Sequence, residues 1–92
     1  MLGCGALAVQ DGYGELKSMF TAPEARGKGV AARILDRLEE KARALGLPVI
    51  RLETGDLLHE ALRLYARHGF VQRGPFGSYR EDPASIFMEK TL

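Results

Sequence analysis

The sequence predicts an α/β domain with a mixed sheet and the element order ββαβαββ. Two observations support this prediction: two short apolar strands precede a long amphipathic helix, and a second strand–helix–strand alternation follows that helix. A length of 92 residues suits one small domain. Because no repeat, linker or low-complexity segment interrupts the chain, residues 1–92 are expected to form a single domain.

The first two strands are predicted at Gly3–Gln10 and Gly14–Thr21. Asp11-Gly12 lies between them and is a strong signal for a two-residue hairpin turn. The two strands are therefore expected to pair antiparallel.

The clearest helix follows the segment Gly27-Lys28-Gly29, and Gly46 and Pro48 end it. Its apolar residues recur at three- and four-residue spacing and form one stripe. That stripe contains Ala31, Ile34, Leu35, Leu38, Ala42 and Leu45. The opposite, charged face contains Asp36, Arg37, Glu39, Glu40, Lys41 and Arg43.

The second half repeats the alternation of strand and helix. Val49–Thr54 reads as a strand, and its position after a strand and a helix predicts a parallel βαβ unit. A second helix ends at Gly69, and its apolar face contains Leu58, Ala61, Leu62 and Tyr65. The remaining strands are predicted at Phe70–Gln72 and Ser85–Lys90, with a loop at Gly74–Ala84 between them.

Composition excludes several classes of partner. Thirteen basic and twelve acidic residues give a net charge of +1, so no strong field attracts nucleic acid or a membrane surface. Met1–Val9 is apolar but too short to span a bilayer, and it lacks the basic flank of a signal peptide. The single cysteine, Cys4, cannot form an internal disulfide. We expect a cytoplasmic protein without nucleic-acid or membrane partners.

The segment Met19–Leu35 predicts an anion site. A strand leads into a glycine-rich turn that opens onto the long helix, whose first amides have no partner within the helix. Gly27 and Gly29 let a phosphate approach the backbone closely, and Arg26 and Lys28 add positive charge. A phosphate or pyrophosphate is the expected ligand.

Neither of two familiar phosphate-binding motifs fits this segment well. The P-loop pattern is absent. Gly27, Gly29 and Ala32 match the dinucleotide pattern G-x-G-x-x-A, and Glu53 follows near the place of a ribose-binding acid. However, a five-residue loop separates the strand from Gly27 where that motif has a tight turn, and the chain is too short for a second nucleotide-binding half.

A third pattern fits better. RGKGVA, at Arg26–Ala31, resembles the R/Q-x-x-G-x-G/A signature of the GNAT acetyltransferases. ALRLYARHGF, at Ala61–Phe70, resembles the second conserved segment of that family, A-x-x-L-Y-x-x-x-G-F. Both segments occur in the family's order and separation, and the resemblance extends from Gly3 to Leu92. It implies a GNAT-like fold.

The resemblance also implies a cofactor site. In this family the amides of the signature loop hold the pyrophosphate of coenzyme A, and the preceding strand pairs with the pantetheine arm between two splayed strands. The loop residues are Arg26, Gly27, Lys28, Gly29, Val30 and Ala31, and the strand residues are Met19, Phe20 and Thr21. The implied reaction uses acetyl-CoA as co-substrate and no metal, and a primary amine attacks the thioester directly.

Two residues are candidates for proton transfer. Tyr65 occupies the family position whose hydroxyl protonates the departing thiolate; a buried aromatic with a locally satisfied hydroxyl is the alternative. Glu15 lies where some histone-type members carry a general base, and an exposed ion pair with Lys17 is the alternative.

The chain departs from the family pattern in two ways. Leu58 stands where many relatives have Asn or Gln, so a cofactor contact from that side chain is lost. The usual first strand, the two helices after it and the next strand have no counterpart. The acceptor pocket is therefore partly missing, built by a partner subunit, or unusually open. Phe76 and Tyr79 are expected either to line that pocket or to close a dimer interface.

A chain of this size buries only about 60–65% of its unfolded surface. Together with the missing N-terminal cover, this thin core predicts a homodimer. The resemblance implies that the acceptor is a small-molecule or peptide amine. The alternative function is an acyl-CoA-binding module, a sensor or partner subunit that has lost productive acceptor binding.

Overall fold

The computed structural model describes residues 3–21, 29–57 and 59–92, without the side chains of residues 3 and 18–21. These residues form strands β1 (Gly3–Gln10), β2 (Tyr13–Thr21), β3 (Val49–Gly55), β4 (Val71–Arg73) and β5 (Ser85–Thr91), and helices α1 (Val30–Ala44) and α2 (His59–Arg67). The predicted order ββαβαββ is confirmed. Neither described helix is long and apolar enough to cross a membrane.

The described strands form one mixed sheet with the spatial order β1-β2-β3-β5-β4. β1 pairs antiparallel with β2, and β5 pairs antiparallel with both β3 and β4. β2 and β3 are parallel and are connected through α1, which confirms the predicted parallel βαβ unit.

The parallel pairing is short. Only Gly14, Glu15 and Leu16 of β2 are in register with β3, opposite Ile50, Arg51 and Leu52. β2 nevertheless stays paired with β1 as far as Thr21, and β3 stays paired with β5 as far as Gly55. Beyond Leu16 the two parallel strands therefore separate, and we call the gap between their facing edges the cleft.

The core lies between one face of the sheet and the two helices. The buried residues of this cluster come from β2, β3, β5, both helices and Phe70; they are Leu16, Leu35, Ala42, Ile50, Leu52, Tyr65, Phe70 and Met88. Because side chains alternate along a strand, the residues between the buried sheet positions point to the opposite face. That second face carries Tyr13, Glu15, Arg51, Phe87 and Glu89, and we call it the polar face.

Two residues, Glu39 within α1 and Leu45 just after it, depart from the predicted helix faces. Glu39 is only 4% exposed, although the charge pattern placed it on the solvent face. It lies four residues after Leu35 and three before Ala42, both fully buried, so it shares their stripe. Leu45, predicted on the apolar stripe, is 52% exposed because it is the C-cap, beyond the last helical residue.

Candidate active site

The N-terminus of α1 is open in the part of the predicted phosphate loop that the structure describes. Gly29 is the N-cap and has φ 76°, a left-handed conformation that glycine adopts without strain. No side chain caps this helix end among the described residues, and the first turn contains no acidic residue. The amides of Val30 and Ala31 thus begin a helix whose end favours an anion. Arg26, Gly27 and Lys28 lie outside the described residues.

The strand residues predicted to bind the cofactor lie along the cleft. Met19, Phe20 and Thr21 continue β2 beyond its last pairing with β3. The β1–β2 register shifts by one residue between Cys4 and Ala6, so this part of β2 contains a β-bulge. A bulge bends its strand and increases the local twist, which helps to turn β2 away from β3.

Glu15 lies on the polar face, next to the start of the cleft, and is 4% exposed. The hydroxyl of Tyr79 donates a hydrogen bond of 2.6 Å to Glu15 Oε2, and Lys17 Nζ lies 3.8 Å from the same oxygen. The ion pair with Lys17 is therefore present, but the carboxylate in it is buried rather than exposed. The hydrogen bond to Glu15 is the main cause that raises the pKa of Tyr79 to about 12, so this hydroxyl remains a donor across the physiological range.

The loop between β4 and β5 folds over the polar face through aromatic contacts. Phe76, 5% exposed, packs edge-to-face against the rings of Tyr13, Tyr79 and Phe87 at centroid distances of 5.2–5.8 Å. Gly77 follows with φ 58°, and a Cβ there would lie 3.0 Å from the Tyr13 hydroxyl oxygen. Glycine at this position lets the loop approach Tyr13. Phe76 is buried among these rings, and the choice between a pocket wall and a dimer interface for Phe76 and Tyr79 stays a prediction.

On the polar face, two arginines and one glutamate form a second charged cluster. Arg51 Nε and Arg73 Nη1 each donate a hydrogen bond of 2.7 Å to Glu89 Oε1. The bond from Arg51 is the main cause that lowers the pKa of Glu89; burial opposes this, and the bond from Arg73 adds to it. The Arg51 guanidinium also lies 4.5 Å from the Tyr13 ring centroid, a cation–π contact. Tyr13 is thus held from two directions.

Tyr65 lies on the other face of the sheet, in the core. It is 6% exposed, and its ring contacts Phe70 at 5.7 Å between centroids. No hydrogen bond of its hydroxyl is found within the residues that the structure describes, and since every fully buried polar side-chain atom there has a partner, this oxygen keeps some contact with solvent. Burial raises the pKa of Tyr65, which keeps the hydroxyl protonated and able to donate a proton.

The fold and this site place the chain among the acyltransferase folds whose sheet opens between two parallel strands beside an uncapped helix. Residues 1–70 match the family model described as Acetyltransferase (GNAT) family, and the chain belongs to that family. The GNAT-like fold class inferred from the sequence is thereby confirmed.

Individual relatives agree with this assignment. The chain is 50% identical over 94 residues to a protein named IAA acetyltransferase from Azospirillum brasilense, and 42% identical over 95 residues to N-acetyltransferase YedL, an uncharacterized protein of Escherichia coli. Both matches cover the whole of this chain but only 61% and 60%, respectively, of the relatives' length.

Solved structures show the same architecture. A Klebsiella pneumoniae protein assigned as an acyl-CoA N-acyltransferase superposes with a TM-score of 0.95 at 42% identity, over 99% of this chain and 63% of that one. The PaiA N-acetyltransferase of Thermoplasma acidophilum, solved in complex with coenzyme A, gives a TM-score of 0.86 at 21% identity, over 99% of this chain and 54% of that one. The second likeness concerns the fold alone.

Proposed function

We propose that this chain transfers an acetyl group from acetyl-CoA to a primary amine by direct attack. The observation that carries this proposal is the cleft: β2 and β3 separate after three register pairs, and the next described element along the chain is α1 with its open N-terminus. An extended thiol arm between two strands and a pyrophosphate at a helix end together match this geometry. Membership of the acetyltransferase family supports the reaction type.

The proposed cofactor site has two parts. The backbone amides of Gly29, Val30 and Ala31, with Gly27 and Lys28 before them and Arg26 beside them, would hold the pyrophosphate. The main chain of Met19, Phe20 and Thr21 would pair with the pantetheine arm, because the edge of β2 that faces β3 has no strand partner there among the described residues. A protein of the same fold, the Thermoplasma PaiA N-acetyltransferase, was solved in complex with coenzyme A, which supports coenzyme A as the ligand.

The proposed chemistry uses one residue on each face of the sheet. Glu15 accepts a proton from the ammonium group of the acceptor, and the freed nitrogen lone pair attacks the thioester carbonyl carbon. The C–S bond then breaks, and the Tyr65 hydroxyl protonates the departing thiolate. Backbone N–H groups at the cleft stabilise the negative charge on the carbonyl oxygen in between.

The cofactor site is tested by calorimetric titration with acetyl-CoA and coenzyme A. In the Gly29→Glu variant we expect the dissociation constant to rise by about 100-fold, or about 2.7 kcal/mol, because a carboxylate would lie beside the pyrophosphate. Gly46→Glu is a matched control: Gly46 has φ 75°, close to the 76° of Gly29, and lies beyond the opposite end of α1. Equal losses in both variants, or wild-type protein that binds neither ligand, would overturn the proposed site.

The role of Tyr65 is tested by Tyr65→Phe. We expect the acetyl-transfer rate to fall by about 100-fold, within the range for loss of a positioned acid. The melting temperature should change little, because the hydroxyl makes no hydrogen bond within the described part of the chain. Thiol release from acetyl-CoA, with and without a panel of primary amines, measures the rate. A pure acyl-CoA-binding module would show neither stimulation by amines nor sensitivity to this substitution.

We also propose that residues 1–92 act as one domain within a cytoplasmic homodimer. The exposed apolar residues Val9 and Val71 lie on β1 and β4, the two edge strands of the described sheet, and an unpaired strand edge is a surface on which a second copy of the chain can pair. The near-neutral charge agrees with a small-molecule or peptide acceptor rather than nucleic acid.

A further inference from the structure

A small cavity lies on the polar face where the cleft begins. Its volume is about 330 Å³, at the lower end of the range of roughly 300–1,000 Å³ for small-molecule sites. Its walls come from β1, β2 and the loop before β5; they are Gln10, Tyr13, Glu15, Lys17, Gly77, Ser78 and Tyr79. Glu15 connects this cavity to the proposed reaction, because it lies one residue before the last parallel pair.

The two charges on the cavity wall differ in sign and in burial. The Glu15 side chain is 6% exposed, whereas that of Lys17 is 49% exposed. Both described contacts of the carboxylate, from Tyr79 and Lys17, are made to Oε2, and Oε1 has no partner within the described part of the chain. A buried carboxylate with an unused oxygen favours a cation as ligand, and the half-exposed ammonium of Lys17 on the cavity wall favours an anion.

We propose that this cavity binds a small amine that also carries a carboxylate, as an amino acid does. The ligand ammonium lies at Glu15, its carboxylate pairs with Lys17, and its side chain packs against the rings of Tyr13 and Tyr79. This assignment rests on the proposed function for its role as the acceptor site. The binding of such a ligand by the cavity does not depend on the proposed function.

The loop gives this cavity a fixed shape before any ligand arrives. Phe76 anchors the loop, and Gly77 lets it lie close to Tyr13. Tyr79 then reaches Glu15 and holds the carboxylate by a 2.6 Å hydrogen bond. Tyr79 is a positioning residue in this arrangement, because it orients Glu15 without itself accepting the proton. A preformed site of this kind binds a small ligand with little loss of conformational freedom.

The experiment compares each of a panel of L-amino acids with the amine that its decarboxylation would give. Binding is measured by calorimetry, with and without coenzyme A, for the wild type, Lys17→Met, Glu15→Gln and Lys41→Met. Lys41→Met is the matched control, since Lys41 is an exposed lysine on α1, away from the cavity wall. Each pair of ligands differs only in the carboxylate, so their affinity ratio isolates that group.

For at least one pair, we expect the wild type and Lys41→Met to bind the amino acid about 10-fold more tightly than its amine. In Lys17→Met this preference should fall to about twofold, with the affinity for the amine unchanged; in Glu15→Gln both ligands should bind more weakly. No binding of any amino acid, an equal or greater affinity for the amines, or a preference that survives Lys17→Met would overturn the proposal. If the protein acetylates decarboxylated amines but does not prefer the amino acids, the proposed function stands and only the amino-acid assignment of the cavity is overturned. Failure to bind coenzyme A would remove the proposed function, and the titrations without coenzyme A would still decide on the cavity.

Discussion

Glu15→Gln should reduce the rate of acetyl transfer by about 10²–10³-fold at neutral pH while leaving acetyl-CoA binding intact. The loss falls within the range for removal of a general base. Glutamine has nearly the same shape as glutamate, and its carbonyl oxygen can still accept the hydrogen bond that Tyr79 donates to Glu15. The site should therefore keep its structure and lose only its ability to accept the amine's proton. Initial rates of thiol release with an amine that the wild type acetylates measure the effect.

The pH dependence of this deficit distinguishes a base from a residue that only supports the structure. As the pH rises toward the pKa of the acceptor amine, roughly 8 for the α-amino group of a peptide and higher for a free amino acid, more of the amine is already deprotonated. The difference between Glu15→Gln and the wild type should therefore shrink with rising pH. A deficit that stays constant with pH would contradict the assignment.

Glu53→Gln is the matched control for this experiment. Glu53 lies on β3, across the cleft from β2, and accepts a 2.8 Å hydrogen bond from Ser85 Oγ. We expect its substitution to change the rate by less than about threefold, since no base role is assigned to it. A large loss in Glu53→Gln with a normal rate in Glu15→Gln would move the base to β3.

Glu39→Gln should lower the free energy of unfolding by about 3 kcal/mol, the largest stability effect that we expect. Glu39 Oε1 lies 2.7 Å from Lys90 Nζ on β5 and 3.2 Å from Arg43 on its own helix, and the Glu39 side chain is only 6% exposed. Removing one partner of a buried pair leaves the other charge poorly compensated. In a domain of this size, such a loss corresponds to a fall of about 12–24 °C in the melting temperature. Thermal and urea unfolding followed by circular dichroism measure both quantities.

Two variants test whether burial and pairing cause this loss. Glu40 is the neighbouring residue and is exposed, so Glu40→Gln should change stability by no more than about 0.5 kcal/mol. The double variant Glu39→Leu, Lys90→Met should be more stable than Glu39→Gln, because apolar replacement of a buried pair leaves no uncompensated charge. If Glu39→Gln and Glu40→Gln lower the free energy of unfolding equally, the ion pair between α1 and β5 makes no special contribution to stability.

The sequence predicts the order of elements well because its local signals are strong. The Asp11-Gly12 turn places β1 and β2, and Gly46 with Pro48 ends α1 close to the observed Ala44. The prediction that β4 begins at Phe70 was one residue early. The N–H of Phe70 donates to the Tyr65 carbonyl at the end of α2, and its side chain enters the core. Tertiary packing, rather than strand propensity, decides its place.

The contacts on the polar face could not be predicted from local sequence patterns. The hydrogen bond from Tyr79 to Glu15 joins residues separated by 64 positions, and no periodicity connects a loop residue to a strand residue at that distance. The burial of Glu39 was open to prediction from its spacing to Leu35 and Ala42, but its charge favoured the solvent face. Its partner Lys90 lies far along the chain, and that contact makes the burial tolerable.

The short seam between β2 and β3 has a consequence for how the fold assembles. β1 and β2 form a ladder across a two-residue turn, whereas β3, β5 and β4 form a second ladder from the later part of the chain. Only three register pairs join the two ladders in the sheet, and α1 packs against the first. The two ladders share one hydrophobic core and the Glu39–Lys90 ion pair, so side-chain packing, more than backbone pairing, holds them together. A ligand arm lying in the cleft, beyond that seam, would supply the backbone pairing that is missing there. The small molecule would then complete the sheet as well as react in it.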